Sequence, residues 1–193
     1  LNEIESVSWE TSTQIRQRYE NDEILVVPPI LKLINGLDRG DELPLKLDLL
    51  YDKEREVPVI NPLKSITQLL PLSNTFPPAN RTNCFIVGDE GQALLIDPSP
   101  KDLGEYKKLR NTINKYRVDI IFLTHHHPDH HEYATTLAKE LDLPIGISED
   151  SYKRILKKFG DDYFSEIKIK FFKDNDVVTQ VQGEDVLLYS TPG

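Results

Sequence analysis

Val118-Asp119-Ile120-Ile121-Phe122-Leu123-Thr124-His125-His126-His127-Pro128-Asp129-His130-His131 is the stretch on which the fold of this chain turns. Its first six residues are apolar but for one aspartate, the pattern of a strand buried on both faces. Five histidines then fall within seven positions, and the 193-residue chain has no others. They sit between that strand and a helix-like segment beginning near Glu132, in the loop leaving the C-terminal end of a strand, where open α/β sheets bind ligands. A neutral imidazole offers one lone pair to a divalent cation. Two imidazoles at i, i+2 in an extended loop project to the same side, so His125 and His127 can grip one ion. Asp129 and His130 add a hard anionic oxygen and another nitrogen, as expected if a second ion lies close to the first. Pro128 removes a backbone donor and stiffens the turn between the pairs.

Outward from this loop, from about Ser65 on, the rhythm is strand, strand, helix, strand, helix, the order of an α/β domain. Strands are expected at Ile66 to Leu70, Asn83 to Val87 and Ala93 to Ile96, with Gly88-Asp89-Glu90-Gly91 as a hairpin turn between the last two. A helix over 101–116 places Tyr106, Leu109, Ile113 and Tyr116 on one face. Beyond the histidines we expect a helix from about Glu132 to Leu141, a strand over 145–147, a helix over 150–159, and strands over 167–172 and 186–190. The first part is built differently, with ten of the thirteen prolines among the first hundred residues. It reads as a polar helix carrying Ile15 and Tyr19, then a helix from Ile30 to Leu37 opened by Pro28-Pro29. Residues 38–64 alternate charge with Leu43, Leu45, Leu47 and Leu49 and read as an edge strand plus connector.

Composition narrows the function. With 38% apolar and 28% charged residues and no run of eighteen apolar residues, neither a disordered chain nor a membrane-spanning helix is expected. A net charge of -9 gives no general attraction to nucleic acid or anionic lipid, leaving a local basic patch open. The expected partner is a small-molecule substrate. Cys84 is alone, inside an apolar strand, where it reads as a small hydrophobe; any metal must be held by nitrogen and oxygen. No Gly-x-Ser-x-Gly elbow exists for a serine nucleophile. A purification tag would be terminal and would not be interrupted by Pro-Asp behind an apolar strand. The start at Leu1, the absence of methionine and the end on Thr191-Pro192-Gly193 suggest a piece of a longer protein. Residues 1–10 have no signal-peptide pattern, so a cytoplasmic location is expected.

At Thr124 to His130 the sequence resembles the metallo-β-lactamase superfamily, whose hallmark is His-x-His-x-Asp-His after a strand. Thr82 to Val87 with Leu94-Leu95-Ile96-Asp97 is similar to that family's early hairpin, which ends in an aspartate near the metal site, and Ser190 to Gly193 is similar to its next motif. The resemblance covers residues 65–193 and implies an α/β (α+β) fold, the N-terminal half of an αββα sandwich, with further ligands beyond Gly193. It implies a first metal on His125 and His127, a second on Asp129 and His130, and Asp97 supporting them by hydrogen bonding. Two zinc ions are expected, with iron or manganese as alternatives. His126 and His131 match no ligand position and are expected to be loop or substrate-facing residues. Where the family usually has two small residues after the last histidine, this chain has Glu132 and Tyr133.

Residues 1–64 form a separate small mixed extension in this reading. Trp9-Glu10, a short helix at Glu23 to Val27, and Pro28-Pro29-Ile30 with Leu33 and Leu37 are similar to the closing segment of certain Nudix hydrolase domains. No Nudix box is present, and an ordinary extension packing on the second domain is the alternative. For function, the resemblance implies a metal-dependent hydrolase acting on an acyl carbon, with Asp129 as the catalytic residue that orients a water and takes its proton. Thioester hydrolysis of the hydroxyacylglutathione hydrolase (glyoxalase II) type leads, followed by esters and lactones. Two rivals stay open: an RNA-cleaving nuclease of the same superfamily, with Lys153, Arg154, Lys157 and Lys158 as its basic stretch, and a non-catalytic metal-binding or redox-associated domain.

Overall fold

The computed structural model describes residues 7–39, 53–89 and 91–191, in two units: Leu1–Asp48 with Asn61–Lys64, and Leu49–Ile60 with Ser65–Gly193. In the smaller unit, α1 (Ser12–Glu20) begins at Thr11, whose hydroxyl accepts from the Gln14 amide while the Gln14 side chain takes the Thr11 N–H. Helix α2 (Pro28–Asp38) opens on prolines, where a missing donor costs nothing. Asp38 ties the two helices, accepting from Arg16 Nε at 2.8 Å and Thr13 Oγ1 at 2.5 Å. The Thr13 hydrogen bond, followed by the Arg16 charge against the opposing effect of burial, holds this carboxyl below its ordinary range. The helix expected at Glu23 to Val27 does not form. The chain turns at Asp22, in the left-handed region at φ 57, and Val27 takes the extended form (φ -67, ψ 145) that the following proline imposes. Leu43, Leu45, Leu47 and Leu49 lie outside the described residues. The edge strand is formed by β1 (Val59–Leu63).

The larger unit is built on strands in the sheet order β2-β3-β4-β5-β6-β7. Strands β2 (Ile66–Leu69), β3 (Cys84–Val87) and β4 (Leu94–Ile96) pair antiparallel, and β5 (Ile120–Phe122), β6 (Ile145–Ile147) and β7 (Ile169–Phe171) continue from β4 in parallel. Parallel neighbours need crossovers, which are α3 (Leu103–Ile113), the pair α4 (Pro128–His131) and α5 (Ala134–Leu141), and α6 (Glu149–Phe159). A separate hairpin, β8 (Val177–Val181) and β9 (Glu184–Leu187), closes the described chain.

Alternation divides the core in two. Leu95, Ile121, Ile145 and Ile147 join Leu109, Ile113, Leu137 and Ile155 of the helices, whereas Leu94, Ile120 and Phe122 meet Phe172, Val178 and Leu188 on the other side. Gly146 is required there, since a Cβ would lie 2.8 Å from the Phe172 ring and 3.0 Å from the Phe122 ring. This is the mixed α/β class expected from the sequence. Within the histidine segment two things differ: a short helix, α4, forms in the stretch read as a loop, and the helix expected from about Glu132 begins at Ala134 as α5. Glu132 at ψ 129 and Tyr133 at φ 63 leave the helical region between them. Among the described residues no helix is long and apolar enough to cross a membrane.

Candidate metal centre

Parallel pairing of β4 with β5 brings the C-terminal ends of both strands side by side, so Asp97 stands next to Thr124. The Asp97 N–H donates to the Phe122 carbonyl at 3.0 Å, and its side chain is buried, with a backbone in the left-handed region at φ 49. Its carboxylate accepts from the Thr124 amide at 2.8 Å, the Thr124 hydroxyl at 2.6 Å and His130 Nδ1 at 2.8 Å. These bonds determine ring protonation. With its proton given to Asp97, the Thr124 hydroxyl accepts from His125 Nδ1, 2.9 Å away. His125 and His130 therefore both carry hydrogen on Nδ1 and turn the Nε2 lone pair outward.

The outward atoms converge. His125 Nε2 and His127 Nδ1 are 3.0 Å apart, and the His125 and His130 ring centres are 4.0 Å apart. The two rings are within hydrogen-bond distance, and two nitrogens on one zinc at about 2.0–2.1 Å each lie roughly 3.0–3.4 Å apart, so the same spacing also fits a shared cation. Asp129 Oδ2 is 3.8 Å from His130 Nε2, too far for a direct hydrogen bond and a span that one cation with bonds of about 2.0–2.2 Å can bridge. Potential ligand atoms of Asp97, His125 and His130 also lie within 4.8 Å of one another, but the Asp97 oxygens already receive three donors.

Charge follows the same division. Burial pushes the His125 imidazolium down, and the neighbouring His130 and His127 push the same way, which favours the neutral ring a cation requires. At His130 burial also acts against the charge, but the Asp97 hydrogen bond and the Asp97 and Asp129 charges outweigh it and raise the pKa. Burial pushes the Cys84 thiol well up, in keeping with a packing role.

His131 is buried from solvent, at 1% exposed, with Nδ1 2.7 Å from the Tyr163 hydroxyl and Nε2 3.2 Å from the His126 carbonyl oxygen, and it contributes to the wall of a cleft beside α4. Its position on α4 puts it on the side away from Asp97, against Phe159 and Tyr163. Tyr133, where the sequence pattern suggested a small residue, keeps its left-handed backbone and stacks on Tyr106 at 5.4 Å. Glu132 is held by the Ser99 hydroxyl at its N–H and by Asn74 at its carboxylate. A cleft of about 500 Å³ whose lining includes Asn74, Pro128, His131, Glu132, Tyr133 and Tyr163 opens beside this turn.

Of the residues singled out from sequence, the structure brings His125 together with His127 and with His130, sets Asp129 beside His130, and puts Asp97 behind both His125 and His130. Sequence reasoning missed Thr124, which relays Asp97 to His125, and Tyr163. The hydroxyl next to the first histidine was a visible signal for Thr124; Tyr163 is 32 positions from its partner and had none.

The family model of the metallo-beta-lactamase superfamily matches residues 77–193, more than half of the chain. Comparison with curated proteins finds no match. Among solved structures, a beta-lactamase domain protein from Burkholderia ambifaria aligns at 16% identity and a TM-score of 0.50, over 61% of this chain and 44% of its own. A metallo-beta-lactamase from Pontibacter korlensis aligns at 17% identity and a TM-score of 0.48, over 62% of this chain and 54% of its own. The chain spans about half the length of these structures, and the likeness is one of fold.

Proposed function

Because this chain belongs to the metallo-beta-lactamase superfamily, we propose that it is a metal-dependent hydrolase whose cations are held by His125, His127, Asp129 and His130. The observation that carries this reading is the approach of His125 Nε2 to His127 Nδ1 at 3.0 Å. Two divalent cations there, zinc first and iron or manganese as alternatives, would acidify a water toward neutral pH and offset charge on the substrate oxygen. The Asp129 carboxylate orients the attacking water by accepting its hydrogen and takes the proton. Asp97 fixes the tautomers of His130 directly and of His125 through Thr124, so that both present Nε2.

The substrate we infer is an acyl compound, with thioesters of the hydroxyacylglutathione type first and esters and lactones after them. The cleft beside α4 has a volume suited to a small molecule, at about 500 Å³. The basic stretch of α6 gives the RNA reading little support, because Lys153 and Arg154 are paired at i, i+4 with Glu149 and Asp150. No activity is proposed for the smaller unit.

Elemental analysis of the wild type and of His127→Ala, alongside turnover of a thioester, tests the proposal. The expected result is bound metal in the wild type, and loss of both metal and turnover in the variant. Equal metal content in the two proteins overturns the ligand set. Metal-dependent RNA cleavage without thioester turnover, weakening steeply with salt, replaces the acyl substrate with a nucleic acid.

A further inference from the structure

We propose that His131 is a positioning residue, which fixes from the buried side the peptide that joins His126 to His127. A carbonyl oxygen can only accept, so the His131 Nε2, 3.2 Å from the His126 oxygen, carries a hydrogen and donates it. That oxygen belongs to the peptide entering His127, and its direction sets where the extended His127 backbone (φ -72, ψ 138) sends its ring. The ring of His127 in turn meets His125 at 3.0 Å. His131 thus acts on the ligand pair without touching it.

The ring of His131 is itself held. The Tyr163 hydroxyl lies 2.7 Å from its Nδ1, and Phe159 and Tyr163 meet it edge-on at 5.3 and 5.5 Å between ring centres. Phe159 ends α6, and Tyr163 lies in the turn Asp161–Phe164; Gly160, at φ 97 between them, makes the reversal that turns both rings toward His131. A histidine that only filled space would need this apolar setting but no polar partner. Here both ring nitrogens are engaged, one by the histidine loop and one by a tyrosine 32 positions away.

Three variants of the intact chain separate positioning from packing. His131→Leu keeps an apolar side chain against Phe159 and Tyr163 but has no donor; His131→Gln returns an N–H near the place of Nε2; Tyr163→Phe keeps the ring and removes the hydroxyl. Backbone amide resonances of His125 to His127 are read in metal-free protein, and zinc affinity is read by competition with a chelator, with the thermal midpoint recorded for each. In His131→Leu the His127 amide resonance shifts and zinc affinity falls about tenfold or more, the size expected when a group supporting metal ligands is lost. His131→Gln recovers most of both effects, and Tyr163→Phe shows a smaller change in the same direction. Unmoved amides and unchanged affinity in His131→Leu overturn the proposal, as does an equal loss in Leu and Gln variants that follows their thermal midpoints. Should His131→Leu not fold, Tyr163→Phe decides by the same readouts, unmoved amides counting against the proposal. The affinity arm rests on the metal reading above, but the amide arm does not: a wild type that takes up no zinc refutes that reading while the resonances still judge this one.

Discussion

The two sides of the histidine loop are held by opposite kinds of chemistry. On the outer side a buried carboxylate, Asp97, gathers three donors and leaves the Nε2 atoms of His125 and His130 facing outward. On the inner side no carboxylate is used: His131 joins a carbonyl and a phenol among aromatic rings. Residues of one type, a few positions apart, thus divide into groups that offer lone pairs and one that consumes them. What separates them is the short helix α4, which turns His130 toward Asp97 and the next residue toward α6.

If the outer side depends on its carboxylate, Asp97→Ala has the largest effect. It leaves the part-buried Thr124 amide and His130 Nδ1 without their acceptor, at about 1–3 kcal/mol for an orphaned donor. We expect a loss of about 2–4 kcal/mol by urea denaturation, with zinc affinity down roughly 10- to 100-fold. Stability within about 0.5 kcal/mol of the wild type, the size of an ordinary surface change, would break the comparison at its stronger side.

The second effect tests whether the loop owes its shape to these anchors or to the strand beneath. Gly146→Ala drives a Cβ against the Phe122 and Phe172 rings. It should cost about 1–3 kcal/mol. Zinc affinity should change by less than about threefold, because the Asp97 contacts to Phe122 and Thr124 are made by the backbone and the Thr124 hydroxyl. A large affinity loss would show that strand packing, rather than the carboxylate, sets the ligand geometry.

Much of the outer side was legible in the sequence, and little of the inner side. Apolar runs and turn residues located β2 through β6 within a residue or two, because each strand is short, buried and bounded by Gly, Pro or Asp. Spacing together with the family resemblance points to His125, His127, Asp129 and His130. What spacing could not carry was direction. The break at Glu132 and Tyr133 has no Gly or Pro to announce it, and the short helix α4, which carries His130 and His131 to opposite sides, lies in the span read as a loop. The hairpin β8–β9 is legible in part: Val186 onward reads as a strand, and Val177 to Val181 has turn residues at both ends, Asp174-Asn175-Asp176 and Gln182-Gly183, but little alternation to mark it.

Tyr133 probes that break. A tyrosine at φ 63 carries a left-handed penalty of about 1–3 kcal/mol, and its stacking on Tyr106 returns about 0.5–1.5 kcal/mol. Tyr133→Gly removes both, so its stability should stay within about 1 kcal/mol of the wild type. A loss well beyond that in denaturant would mean that the ring, rather than the backbone, organises the exit from the loop.

The smallest effect lies one contact further on, where Tyr106 donates its hydroxyl hydrogen to Glu140 and Arg110 Nε donates to the same carboxylate at 2.8 Å. The Tyr106 hydrogen bond first, and then Arg110, hold the Glu140 carboxyl below the ordinary glutamate range. A depressed folded-state pKa means that the unfolded chain binds the proton more readily. This support for the fold is complete above the ordinary glutamate pKa and is lost as pH falls through the lower folded value. The side chain is 45% exposed, so solvent screens the effect. Urea midpoints taken downward from pH 6 should therefore fall slightly less steeply in Glu140→Gln than in the wild type, with Tyr106→Phe between them. Identical slopes in all three would place the acid sensitivity of this domain elsewhere.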